Sequence, residues 1–172
     1  MRRQSDILLT RKPVMWRVVI DHDMLYERVS QETAVNAKKS QEPVSDDHII
    51  LEDDKPLYNY YLSLAISDLT SLLARRIDQA VPVQIEDKEG NVIENQGMIE
   101  DDGITEYHLV VDDNFEHHLQ TALQNYCFEY VASRVMEMWY KQPQGSEQLR
   151  LSIVRTLEFR KKPVRRPIRS ML

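Results

Sequence analysis

PLYNYYLSLAISDLTSLLARRI, residues 56–77, is the stretch whose reading decides the fold. Tyr58, Tyr61, Leu62, Ala65, Leu69, Leu72, Leu73 and Ile77 recur at spacings of three and four, the signature of one apolar stripe over about five helical turns. Pro56 suits a first turn, where its missing N–H would have had no partner. The preceding Glu52-Asp53-Asp54 suits the positive end of a helix dipole. Pro82 ends the segment, because it cannot donate to the helix ladder. A helix with one apolar face has to bury that face, so the body of the protein is built by helix packing.

Working outward towards the C-terminus, the period falls to about two from Val83 to Asp112. The segments VQIE, NVIE and TEYHLVV are separated by turns at DKEGN (87–91) and near Asp101–Gly103, which predicts three short strands, or a hairpin plus one. A second helix is expected over residues 114–141, capped by Asp112, Asp113 or Asn114 and roughly 40 Å long at about 1.5 Å per residue. Leu119, Leu123, Cys127, Val131, Val135 and Met138 line one of its faces, and Pro143 and Gly145 stop it. A third helical segment covers residues 148–158 with Leu149, Ile153, Val154 and Leu157 inward. Towards the N-terminus, Val14–Ile20 reads as a strand and Asp21-His22-Asp23 as a cap. Residues 24–39 form a sparse amphipathic helix on Leu25, Val29 and either Ala34 or Val35. Residues 40–55 form an acidic loop with an apolar anchor at residues 49–51. The expected fold is mainly α with a small β insertion at 83–112, a helical core over 57–158, and arms at 1–56 and 159–172. Leu69, Leu73, Leu123, Val135 and Trp139 are expected to shape the core.

Charge is divided unevenly along the 172 residues, whose net value is −6. Residues 1–20 carry +4 and residues 150–172 carry +7, which leaves −17 on residues 21–149. Such a body repels bare DNA, so its main surface is not expected to read nucleic acid. The last fourteen residues, FRKKPVRRPIRSML, hold Arg160, Lys161, Lys162, Arg165, Arg166 and Arg169 with no acid. Pro163 and Pro167 forbid a continued helix, and Val164, Ile168, Met171 and Leu172 interleave apolar groups with the charges. That pattern suits an extended segment in a partner's groove, for instance the acidic body of a neighbouring subunit. Contact with phosphate is the other use of such a tail.

Catalytic and metal-binding patterns are not apparent. The five histidines include no HxxxH pair, and the single cysteine, Cys127, lies on the apolar face of a helix, so it reads as a buried structural thiol. No Gly-rich phosphate loop is present, and the acidic clusters lack calcium-loop spacing. No run approaches the roughly 20 apolar residues that span a membrane, and the N-terminus does not read as a signal peptide. The expectation is a protein that is not an enzyme and needs no cofactor or metal. Tyr60 and Tyr140 fall off the main apolar stripes and are candidates for interface anchors.

Two segments carry a family resemblance. Tyr61-Leu62-Ser63-Leu64-Ala65-Ile66, then a strand-bearing connection, then Leu119-Gln120-Thr121-Ala122-Leu123 leading to Met138-Trp139-Tyr140, resembles the head–tail connector proteins of tailed bacteriophages over roughly residues 57–141. The resemblance implies a small helical subunit that forms a ring, typically twelvefold, beneath the portal. Its neighbours would be portal and tail or neck proteins, with double-stranded DNA passing through the channel. It also implies assembly in the host cytoplasm and residence in the virion neck. The long β segment, the N-terminal region and the basic tail have no counterpart in that pattern. The alternative expectation is a small nucleic-acid-associated regulator that uses the basic tail.

Overall fold

Residues 14–39, 49–77, 84–86, 89, 92–94, 97–111 and 115–159 are described by a computed structural model. Among them, strand β1 (Val14–Asp21) and helices α1 (His22–Lys39) and α2 (Lys55–Ile77) come first in the chain. Strands β2 (Gln84–Glu86), β3 (Val92–Glu94), β4 (Met98–Asp101) and β5 (Ile104–Val111) follow, and then helices α3 (Gln120–Tyr140) and α4 (Ser146–Glu158). Mainly helical architecture with a small antiparallel sheet is therefore what the periodicities predicted, but the described residues of 83–112 hold four strands rather than three, β4 (Met98–Asp101) being the one not foreseen.

The sheet has the order β1-β5-β4, so the strand before α1 pairs with one that lies about ninety residues later. Trp16 faces Leu109, Val18 faces Tyr107 and Ile20 faces Thr105, and all six are buried on the face that meets the helices. The N-terminal strand and α1 therefore belong to the body, whereas the sequence placed residues 1–56 apart from the core. The β4–β5 connection is the predicted turn, Asp102-Gly103, with Gly103 at φ +81°. The expected DKEGN hairpin forms as β2 paired with β3.

Each helix is held by identifiable chemistry. Asp21 Oδ1 accepts the N–H groups of Asp23 (3.0 Å) and Met24 (3.1 Å), so α1 begins two residues earlier than its apolar pattern. Its third buried position is Thr33 rather than Ala34 or Val35. The Thr33 hydroxyl accepts the Ile50 N–H at 3.3 Å, which fixes the expected apolar anchor after the acidic loop. In α2 the buried residues are Tyr58, Leu62, Ala65, Ile66, Leu69, Leu73 and Ile77, while Tyr61 and Leu72 are half-buried. Gly97, at φ +79°, lets β4 pass against the end of α2, because a Cβ there would sit 2.0 Å from Ile77 Cγ2.

The second long helix is shorter than its pattern. Phe115 leaves the helical path to bury itself edge-on against Trp16, with ring centroids 6.0 Å apart, and His117–Leu119 forms a 3-10 turn before α3 starts at Gln120. The helix spans about 32 Å rather than 40 Å. No side-chain cap bonds its N-terminus, and the expected caps at 112–114 lie outside the described residues. Lys141 ends it at φ +55°. Beyond it, the Glu137 carboxylate accepts the N–H groups of Gln144 and Ser146 (3.2 Å each) and the Ser146 hydroxyl (2.6 Å), which ties α3 to α4. Burial pushes the Glu137 carboxyl up, but Ser146, Arg134 and those two N–H groups outweigh it and hold its pKa below the ordinary value.

Candidate functional site

The groups with catalytic chemistry are placed structurally. Cys127 is fully buried, and burial pushes its thiol well above its usual range. His22 contacts Thr105 Oγ1 at 2.8 Å. His108 is buried in the sheet, with Nε2 3.2 Å from Glu106 Oε1 and Arg17 paired to the same carboxylate. Burial, then the Arg17 charge, lowers its pKa. Burial pushes the Tyr107 phenol up to about 12, while its shared hydrogen bond with Thr70 (2.9 Å) pulls the other way. Among the described residues no three His, Cys, Asp or Glu side chains converge as metal ligands would.

Of the residues singled out from sequence, Leu69, Leu73, Leu123 and Val135 are fully buried in one cluster. Trp139 only packs half-buried against its rim, because it sits one residue past the inward stripe in the last turn of α3. Tyr60 is 59% exposed and Tyr140 is half-buried. Arg160, Lys161, Lys162, Arg165, Arg166 and Arg169 lie outside the described residues.

Tyr60 does not stand alone. Leu57 (44% exposed) and Leu64 (39% exposed) lie three residues before and four after it, so α2 carries a second apolar stripe turned to solvent. The i, i+3, i+7 spacing was present in the sequence, but a reading that assigns one stripe per helix passes over it. Arg134 on α3 donates to Asp68 on α2 at 2.8 Å, and the Arg76 guanidinium lies 4.6 Å from the Phe115 ring just ahead of α3. These two contacts fix α2 and α3 as antiparallel, which carries Tyr60 and Tyr140 towards the same end of the pair.

The opposite flank of α2 forms a groove of about 470 Å³ with the β4–β5 turn. Leu62, Ile66 and Ile104 supply its apolar lining, and Glu100, Asp101 and Asp102 supply three exposed carboxylates. Among the described residues no Lys or Arg lines it. The turn is held in place by the His22 N–H, which donates to the Gly103 carbonyl at 2.8 Å. This groove was invisible in sequence, since it depends on a turn some forty residues from the part of α2 that it faces.

The free side of β1 is treated differently. Gln124 on α3 accepts the Val19 N–H (2.7 Å) and donates to the Val19 carbonyl (2.6 Å), so one side-chain amide replaces a neighbouring strand there. Among the described residues no helix is long and apolar enough to cross a membrane. Comparison with known proteins returns nothing: no family model matches the chain, and neither a curated protein nor a solved structure does.

Proposed function

We propose that the chain is a non-enzymatic structural subunit that assembles into a ring, acting as an adaptor between portal and tail in the neck of a tailed bacteriophage. The observation that carries this reading is the outer face of α2. Leu57, Tyr60 and Leu64 stand in water on a helix whose other face is already buried in the core. Rows of large apolar side chains at helical spacing mark protein interfaces more than free surface. The residue types agree, since a tyrosine flanked by leucines supplies rigid contact area at low entropic cost.

Electrostatics supports the same reading. A body of −17 over residues 21–149 gives a channel wall that duplex DNA passes without adhering. The partners in this reading are further copies of the chain, the portal, and tail or neck proteins.

Sedimentation of the full chain together with electron microscopy tests the reading. Closed rings with an acidic lumen are expected. A single-chain mass at all concentrations, with duplex DNA binding that falls steeply with salt and disappears on deletion of residues 159–172, would replace it with the regulator alternative.

A further inference from the structure

We propose that the groove between α2 and the β4–β5 turn is the seat of residues 160–172 from a second copy of this chain. The inference rests on the ring reading and adds a second contact between copies, which supplements the one proposed for the outer face of α2. The groove carries Glu100, Asp102 and Asp101, the last already engaged within the molecule, over an apolar lining of Leu62, Ile66 and Ile104. The segment after Phe159 offers the complement: six cations in 13 residues, interleaved with Val164, Ile168, Met171 and Leu172. A proline-bearing extended segment reads such a groove through side chains pointing alternately to its apolar and acidic parts, with no strand ladder needed at the positions that lack an N–H.

Electrostatics argues for a second copy. Two bodies of −17 repel each other on approach, and a basic segment of one laid on the acidic turn of the other reverses the sign of the contact. Geometry permits it. The Arg76 guanidinium donates to the Leu157 carbonyl at 2.9 Å, so the end of α4 lies at the C-terminal end of α2, whereas the groove runs along Asn59, Ser63 and Ile66. Donor end and receiving groove are thus different surfaces of one molecule. A contact between different surfaces is head-to-tail, and it closes into a ring when the rotation between copies allows. Thirteen residues reach at most about 45 Å when extended, enough to leave one body and lie on the next.

The test uses a fluorescent peptide of residues 159–172 and the protein lacking residues 160–172. The peptide is expected to bind, and to weaken at least about tenfold as ionic strength rises from about 0.05 M to about 0.5 M, where the screening length shrinks to a few ångströms. E100Q/D101N/D102N is expected to weaken binding at least about tenfold, whereas E52Q/D53N, on the exposed turn before α2, leaves it unchanged. These are exposed side chains, and circular dichroism confirms that each variant is folded. In the full chain, S63C with S170C is expected to give interchain disulfide ladders under oxidation, with the buried Cys127 silent. Absence of peptide binding, equal loss in both acidic variants, or disulfides only within single chains would overturn the inference. Failure of the ring reading looks different: ladders form, but the linked species are open chains with no closed ring.

Discussion

Helices α2 and α3 have equally plain apolar patterns in sequence and opposite fates in the fold. α3 lies at the centre, contacted by α1, α2, α4 and β1, and its apolar side chains are used inside the molecule. α2 leans on α3 and the sheet with one face only. Its other side presents Leu57, Tyr60 and Leu64 to solvent, and the flank beyond opens onto an acidic groove. The difference separates two uses of apolar surface: α3 makes the body stable, and in the proposed reading the outer face of α2 makes it associate.

Substitutions break this contrast in order of size. Leu123→Ala in α3 removes a fully buried side chain from the central cluster and is expected to cost about 3–4 kcal/mol in chemical denaturation. Gly97→Ala forces a Cβ into Ile77 at a positive φ, and the sum of left-handed strain and overpacking is about 2–4 kcal/mol, read as a lowered denaturation midpoint. Gln124→Ala leaves the Val19 N–H and carbonyl without their partner, which costs about 2 kcal/mol and speeds hydrogen exchange at Val19 above that of the β5-facing amides.

The smaller effects separate stability from assembly. His108 has a depressed pKa in the fold, whereas in the unfolded chain it takes a proton near about 6.5. Between those values the unfolded state binds more protons, so stability rises with pH there and is lost as pH falls through about 6.5 towards the folded value. Urea midpoints measured across that window should show the slope, and His108→Gln should flatten it. Leu57→Ser, Tyr60→Ser and Leu64→Ser together should change stability by only about 0.5 kcal/mol per site, because these side chains lie on the surface, outside the core cluster.

Local chemistry made much of the fold readable. The period of α2, the Asp21 cap and the Asp102-Gly103 turn each depend on residues within a few positions of one another, and the structure places them as expected. What the sequence hid is non-local. Pairing of Val14–Asp21 with Ile104–Val111 crosses the whole helical segment, and Phe115, just ahead of α3, packs on Trp16 from a distant strand and on Arg76 from α2. The site was half legible for the same reason. Tyr60 was found by being off the main stripe, and its partners Leu57 and Leu64 follow from helical spacing once two stripes are allowed. The groove needed the turn at Glu100–Asp102 to be brought against α2, which no pattern within either segment states.

The most direct measurement is native mass spectrometry of the full chain beside the L57S/Y60S/L64S variant. The unsubstituted chain should give one closed oligomer, and the variant a single-chain mass that circular dichroism shows to be folded. A single-chain mass for the unsubstituted chain, or the same oligomer in both, would contradict the assignment of the outer face of α2 to assembly.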